Sequence, residues 1–222
     1  MPVPEPAPNA SDVDPEPRLR ADAQRNLDRI LTAAREVFAE QGIDAPMTEV
    51  ARRAGVGHGT LYRRFPTREQ LMVTMIEQRL AEAAGAAEAA EAEDDAWSAL
   101  VGMIELIGSM HAADRCVVES IEWEAVARAP QVLALKARLL NALGRLLRRA
   151  QDAGQARADL APADLPHLIS AATRAIPSCP EGSDLWRRYL AVVVDGMRAP
   201  AASPLPVDAP GDTTLPAGGR TG

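Results

Sequence analysis

The chain has 222 residues, a formal net charge of −7 at pH 7 and only 3% aromatic residues. A chain of this length can bury a sizeable hydrophobic core in one or two domains. Cys116 and Cys179 are far apart, and no histidine lies in a metal-binding repeat, so neither a disulfide framework nor a metal site is expected. With no apolar run of about 18 to 20 residues and no signal peptide, the sequence predicts a cytoplasmic protein without a membrane partner.

The N-terminal region divides into a proline-rich tail and a helix. Residues 1–17 contain six prolines and four acidic residues, a composition that predicts disorder. From Ala23 to Gln41 apolar residues recur every three or four positions, which predicts an amphipathic helix ending at Gly42. Three arginines lie near the start of this helix: Arg18, Arg20 and Arg25. They could form an arm that reaches DNA or an ordinary basic helix start.

The segment from Met47 to Leu71 predicts two short helices joined by a glycine turn. Gly55 and Gly57 end the first helix, since glycine tolerates the positive φ that other residues resist. A second helix is predicted from His58 to Arg64, with residues four apart facing the first helix. The apolar positions that join the pair are Val50, Ala51, Ala54, Leu61 and Phe65. This pattern predicts a helix-turn-helix, whose second helix enters the DNA major groove.

The charge of this segment is opposite to that of the whole chain. Residues 46–68 carry five arginines and one acidic residue, Glu49, which leaves a local charge of +4. DNA binding needs a basic patch, and an acidic protein can carry one. A solvated pair of helices with ordinary surface arginines is the alternative. The arginines are Arg52, Arg53, Arg63, Arg64 and Arg68.

At these residues the chain resembles the TetR family of bacterial transcriptional repressors. The resemblance covers roughly residues 25–80 and rests on Val50-Ala51, Ala54-Gly55-Val56, Gly59-Thr60-Leu61-Tyr62, Phe65 and Glu69 to Leu71. It implies an all-α fold with an N-terminal three-helix helix-turn-helix domain, a larger helical effector-binding and dimerisation domain, and a homodimer. The run from Arg149 to Leu160 is also similar to a segment of actinobacterial members.

One departure from the family pattern lies just before the first motif helix. Ala45 and Pro46 stand where family members often have Ser or Thr. Pro46 suits the first helical position, but the side-chain cap is missing unless Asp44 supplies it.

The predicted DNA contacts lie on the second motif helix and around it. His58 and Arg63 are the candidates for base edges, because arginine can bind guanine through two acceptors. Thr60 and Tyr62 are expected to touch phosphate or a thymine methyl, and Arg68 is expected to bind phosphate. The full predicted set is Thr48, Gly57, His58, Gly59, Thr60, Tyr62, Arg63, Arg64 and Arg68.

Further helices are predicted along the rest of the chain. Thr67 is expected to cap a bridging helix, after Pro66 stops the preceding one. An acidic stretch from Glu82 to Asp95 suggests a boundary between domains. Helices then follow at about 96–112, 115–126, 130–153, 165–176 and 184–198. The predicted domains are 18–80 for DNA binding and 81–198 for effector binding and dimerisation, with a disordered tail over 199–222.

Two sites are predicted in the second domain, each with plain core packing as the alternative. The first is an effector pocket, since methionine suits adaptable binding surfaces. It comprises Met103, Ile107, Met110, His111, Trp123, Leu139 and Leu143. The second is a dimer interface on the last two helices, comprising Leu168, Ile169, Ala172, Trp186, Tyr189, Leu190 and Val193.

These patterns favour a sequence-specific transcriptional repressor. We expect a homodimer that binds a palindromic double-stranded DNA operator and releases it when a small hydrophobic or amphipathic effector binds, with no cofactor, no metal and no catalytic site. A helical DNA-binding or nucleoid-associated protein without an effector is the alternative, and an enzyme in the helical domain is less favoured. The first two differ in sequence specificity and in whether a ligand changes DNA affinity.

Overall fold

The computed structural model describes residues 15–113, 124–174, 184–199 and 203–207. Every regular element within these ranges is an α-helix, which confirms the predicted fold class. In chain order the helices are α1 (Pro15–Gln41), α2 (Met47–Ala54), α3 (His58–Arg64), α4 (Arg68–Ala90), α5 (Ala96–Ala113), α6 (Glu124–Ala127), α7 (Pro130–Asp152), α8 (Asp164–Arg174) and α9 (Leu185–Gly196).

Helix α1 begins earlier than the sequence predicted. It starts at Pro15, so the expected disorder does not extend through residues 15–17, and Arg18 and Arg20 are helical. Proline is tolerated here because the first turn of a helix has amide groups without intrahelical partners. Arg25 forms an ion pair with Asp22 on the same helix. For Arg25 this contact is that of an ordinary helix surface, and a DNA contact by these arginines stays a prediction.

The first four helices build a small hydrophobic cluster, which we call the N-terminal cluster. Ile30, Val37 and Phe38 of α1 are almost completely buried in it. The predicted apolar positions of α2 and α3 join them, with Leu61 0% and Phe65 3% exposed. Val126 and Val132 also belong to this cluster, although they lie far along the chain in α6 and α7. The start of α7 therefore packs into the N-terminal cluster.

A second and larger cluster, the C-terminal cluster, joins α5, α7, α8 and α9. Leu100 and Ile104 of α5 are buried there against the leucines of α7. Helix α4 contributes to both clusters, since Leu71 and Ile76 lie in the N-terminal one and Ala87 and Ala90 in the C-terminal one. Its predicted cap is present, because the Thr67 side chain accepts a hydrogen bond from the Gln70 amide at 3.3 Å. A boundary between domains at residues 80 and 81 stays a prediction.

Three arginines of α7 hold it against the acidic end of α4. Arg138 binds both carboxylate oxygens of Glu88, at 2.7 and 2.5 Å. About two turns further along α7, Arg145 binds the Glu91 carboxylate at 2.6 Å. One turn beyond it, Arg149 donates to the Glu91 carbonyl at 2.8 Å. These hydrogen bonds lower the pKa values of both carboxyl groups. The acidic stretch is thus partly a docking surface for α7.

Helix α5 is apolar enough by length and composition to cross a membrane, with a mean hydropathy of 1.2 over 18 residues. The sequence predicted no apolar run of membrane-spanning length. Trp97, Leu100 and Ile104 are buried in the C-terminal cluster, so the helix behaves as the core helix of a helical bundle.

The segment after α9 packs back onto the end of α7. The Arg157 amide donates to the Met197 carbonyl at 2.9 Å, within an isolated antiparallel bridge between Ala156 and Arg198. The Leu205 amide donates to the Asp159 carboxylate at 3.0 Å. The predicted tail from residue 199 therefore includes ordered positions at 199 and 203–207. The expected ends of the helices at 115–126 and 165–176 fall partly outside the described residues.

Candidate nucleic-acid interface

The glycine turn between α2 and α3 has the predicted geometry. Gly55 ends α2 with φ +65°, a left-handed conformation that side chains disfavour. The amide of the next residue, Val56, returns to the Ala51 carbonyl at 3.0 Å and closes the turn. Pro46 precedes α2 without a side-chain cap, so Asp44 does not cap this helix as the sequence had left open.

Helix α3 has one buried side and one outward side. Leu61 and Phe65 point into the N-terminal cluster. At 100° per residue, Gly59 and Arg63 lie on the opposite side. His58, Tyr62 and Arg64 are also exposed, and Thr60 is half-buried. Thr48 lies on the exposed side of α2. The predicted DNA contacts on α3 therefore share one accessible surface, which we call the α3 outer face (His58, Gly59, Tyr62, Arg63 and Arg64).

Neither glycine at the start of α3 is required by the fold. A Cβ at Gly59 meets nothing within 4 Å, and a Cβ at Gly57 meets only the Thr60 hydroxyl at an ordinary 3.7 Å. The φ of Gly57 is −63°, which any residue adopts. Glycine within a helix costs about 1 kcal/mol relative to alanine. The absence of a side chain at Gly59 leaves the backbone of α3 open to the close approach of another molecule.

Two rings lie together on the α3 outer face. The centroids of His58 and Tyr62 are 4.4 Å apart, at an interplanar angle of 42°. This contact spans one turn of α3 and orients both rings on the same surface. The hydroxyl of Tyr62 and the nitrogens of His58 are groups that can bond to phosphate or base edges.

Three of the five local arginines are held by carboxylates, which the sequence analysis did not foresee. Arg52 forms a two-point contact with Glu49, at 2.9 and 2.6 Å. Arg53 donates to both carboxylate oxygens of Glu40, at 2.8 and 2.6 Å, and these hydrogen bonds raise the pKa of Arg53. Glu40 lies 13 residues away on α1, so only the folded structure brings the two together. The basic surface is smaller than the local charge of +4 suggested.

Arg68 is the third arginine that a carboxylate holds, and its side chain makes contacts that the sequence did not predict. Its guanidinium donates to the Asp44 carboxylate at 3.2 Å and to the Asp44 and Ala45 carbonyls at 3.0 and 2.9 Å. The side chain therefore ties the turn before α2 to the start of α4, instead of extending freely towards phosphate. Arg63 and Arg64 have no hydrogen bond or ion pair with the part of the chain that the structure describes.

The predicted effector residues are largely core residues here. Met103, Ile107 and Leu143 are buried in the C-terminal cluster, and Leu139 packs against it. Met110 and His111 are half-buried, and the Nδ1 of His111 lies 3.4 Å from the Thr173 hydroxyl. Trp123, Cys116 and Cys179 lie outside the described residues. A cleft of about 360 Å³ lies elsewhere, between α1, α4 and Leu135 of α7.

Most residues of the predicted dimer interface are core residues of the single chain, and the interface itself stays a prediction. Ile169, Ala172, Trp186 and Leu190 are at least 93% buried within the single chain, and Leu168 and Val193 pack against the same cluster. These residues hold α8 and α9 to α5, which was the alternative considered from the sequence. A different stripe of α9 is exposed, with spacings of four and three. It comprises Leu185 at 43%, Tyr189 at 44% and Val192 at 68% exposure, and we call it the α9 stripe.

Fold and site together define an all-helical protein with an N-terminal helix-turn-helix. Two family models match the chain: bacterial regulatory proteins of the tetR family over residues 30–75, and the C-terminal domain of SbtR-like transcriptional regulators over residues 95–199. A TetR transcription regulatory protein from Mycobacterium vanbaalenii is 35% identical with a TM-score of 0.60, over 81% of this chain and 99% of that chain. The chain belongs to the TetR family of bacterial transcriptional regulators.

Two further relatives agree with this assignment. A TetR transcriptional regulator from Streptomyces coelicolor is 30% identical with a TM-score of 0.61, over 79% of this chain and 99% of that chain. An HTH-type transcriptional regulator from Staphylococcus aureus strain USA300 is 36% identical over 63 residues, which are 28% of this chain and 34% of that protein. The match to this curated relative thus spans about a third of its length.

Proposed function

We propose that the protein is a ligand-responsive repressor that binds a palindromic operator as a homodimer in the cytoplasm. The α3 outer face carries this proposal, because its two arginines have no partner among the described residues while the neighbouring arginines do. Arg63 lies opposite the buried side of α3, the position from which a recognition helix reaches base edges. Arg64 is the stronger candidate for phosphate.

The salt dependence of DNA affinity tests this assignment. Each phosphate contact that is lost reduces the slope of log K against log salt by about one. We expect Arg64→Gln to reduce this slope. Arg63→Gln should instead cost about 1–3 kcal/mol of binding free energy at the base it contacts and relax the preference for that base. Arg52→Gln is the matched control, since that guanidinium is paired with Glu49. Equal slopes for all three variants, measured by fluorescence anisotropy, would place the DNA elsewhere.

Arg68 receives a revised expectation from its contacts. Arg68→Ala removes hydrogen bonds to two carbonyls before α2, so it should reduce thermal stability and displace the helix pair. DNA affinity then falls while the salt slope stays close to that of the wild type. A reduced slope with unchanged stability would restore Arg68 to the phosphate contacts.

The α9 stripe supports the homodimeric part of the proposal. Three large apolar side chains repeat along one line of α9 on the side away from the C-terminal cluster. One helix-turn-helix makes few base contacts, so two copies reading two half-sites supply the specificity. An apolar stripe beside α8 suits an interface in which the same helices of two copies pack together.

The contacts of α4 and α7 support the switch. Helix α4 begins under α3 and ends in the C-terminal cluster, and α7 is bound to it by Arg138 and Arg145. An effector that moves α7 therefore moves α4 and the spacing of the two recognition helices. That spacing must match successive major grooves, about 34 Å apart. An effector that binds the DNA-incompetent state better must lose affinity when operator DNA is present.

A further inference from the structure

The single lysine of the chain lies on the inner side of α7. Twenty-four residues are basic, and Lys136 is the only lysine among them. Val132, Leu139 and Leu143 lie four before, three after and seven after Lys136, so all four share one side of the helix. Val132 is buried in the N-terminal cluster, whereas Leu143 is buried in the C-terminal one. Lys136 therefore interrupts the apolar stripe where the two clusters meet.

The ammonium group is half-buried and has no counter-charge among the residues that the structure describes. Burial lowers the pKa of Lys136 below its usual 10.5. Within the described ranges no carboxylate or carbonyl forms an ion pair or hydrogen bond with it. The neighbouring Arg138, by contrast, donates two hydrogen bonds to Glu88, so α4 does supply a partner for this cation of α7. A partly desolvated cation without a partner is unfavourable, and an anionic ligand relieves that cost.

We propose that Lys136 anchors the effector, which is an amphipathic anion with a carboxylate or similar head group on an apolar body. This rests on the ligand-responsive function proposed above. Lysine is a compact point charge with three donors, which suits a head group of this kind. The apolar body lies along the same side of α7, beside Leu139, a partly buried hydrocarbon side chain one turn further on.

The position of Lys136 links binding to the switch. It lies one turn after Val132, whose side chain is buried with α4 and α1 in the N-terminal cluster. A head group held at Lys136 therefore acts on the part of α7 that packs into the N-terminal cluster. The ordinary alternative is a lysine whose stem covers apolar surface while its ammonium stays in water. In that case the charge has no influence on what binds.

A single lysine gives a direct readout. Reductive methylation with ¹³C places one side-chain label at Lys136 in the full-length protein, besides the α-amino group. The probes are decanoate, decyl phosphate, decanol and decylamine, which share one chain and differ in charge. We expect decanoate and decyl phosphate to shift the Lys136 resonance and to raise the thermal midpoint of the unlabelled protein, whereas decanol and decylamine do so much less.

Variants complete the test. Lys136→Met keeps the apolar stem, so the fold should survive while decanoate affinity falls about tenfold, which is 1.4 kcal/mol. Lys136→Arg should retain binding, and Arg148→Met, which removes an exposed cation from α7, is the matched control. The proposal is overturned if decanoate and decanol bind equally well, or if Lys136→Met binds decanoate as tightly as the wild type. It is also overturned if neither anion shifts the Lys136 resonance. Binding at Lys136 without release of DNA would instead contradict the repressor function alone.

Discussion

Gly59 separates the needs of the fold from the needs of DNA binding. It is the second residue of the seven-residue helix α3, where glycine is a poorer helix former than alanine and fills no packing role. Gly55, by contrast, has φ +65° and is needed for the turn. The sequence shows two similar glycines here, and only the backbone conformation distinguishes their roles.

Gly59→Ala should therefore improve the fold and harm function. We expect unfolding to become less favourable by about 0.5–1 kcal/mol, because alanine is the better helix former. DNA affinity should fall on the order of tenfold, since the new methyl group lies on the α3 outer face beside Arg63. Gly102→Ala is the control, because that exposed glycine of α5 also has open space around it. Unchanged DNA affinity in both variants would move the contact away from α3.

Residue-level prediction from the sequence succeeded where it depended on periodicity. Leu61 and Phe65 were expected to face α2, and both are buried. It did not include the ion pairs of Arg53 and Arg68, because their partners Glu40 and Asp44 lie 13 and 24 residues away and come close only through the fold. The phosphate contact of Arg68 stays a prediction. For Arg53 the sequence did contain one signal of an ion pair, which is the pair of exposed acids Glu36 and Glu40 one turn apart on α1.

At the scale of elements, the start of α5 depends on one carboxylate. Asp95 accepts hydrogen bonds from the amides of Trp97 and Ser98, at 3.3 and 3.2 Å. The Ser98 hydroxyl, and then Gln155, lower the pKa of Asp95 from its ordinary 3.8 to about 2. Gln155 follows α7, so the same group connects two helices of the C-terminal cluster.

The pH dependence follows from the sign of this shift. Because the folded pKa lies below the unfolded value of about 3.9, ionised Asp95 stabilises the fold above about pH 4. This contribution is lost as the pH falls through 2. Asp95→Asn should be less stable than the wild type near neutral pH, and the deficit should shrink between pH 4 and pH 2. Urea unfolding at several pH values measures it, and Asp94→Asn, an exposed neighbour, should show no such trend.

Helix boundaries were predictable where a breaker residue sets them. Gly42 and Gly55 end α1 and α2 as expected, and both have positive φ. The start of α1 was missed because prolines were taken as evidence of disorder, although the first turn of a helix accepts them. Composition alone does not distinguish these two uses of proline.

At the scale of the whole molecule, the packing of the C-terminal helices could not be predicted from the sequence. Helix α9 is apolar over most of its circumference, so the sequence identified an interface but not which side faces the chain itself. The structure assigns Trp186 and Leu190 to the inner side, where they approach Gly108 so closely that a Cβ there would lie 2.9 Å from each. The α9 stripe is the exposed apolar side of this helix, and the proposed dimer interface lies on it.

Val192→Asp tests that assembly. Val192 is 68% exposed in the single chain, so the change should leave the monomer folded by circular dichroism. In a dimer it would bury an unpaired charge, which costs several kcal/mol. Sedimentation velocity should then show monomers and DNA affinity should fall, whereas Val192→Thr should remain dimeric. A dimer that survives the aspartate would place the interface elsewhere.

Selection of bound fragments from random double-stranded DNA addresses the central claim most directly. A dimeric helix-turn-helix regulator should enrich one palindromic sequence, with half-sites whose centres lie about one helical turn, or 10 base pairs, apart or a multiple of it. The Arg63→Gln variant should lose preference at a symmetric pair of positions. Binding that enriches no sequence, or only a base composition, would contradict the account and identify a helical DNA-binding protein without an operator.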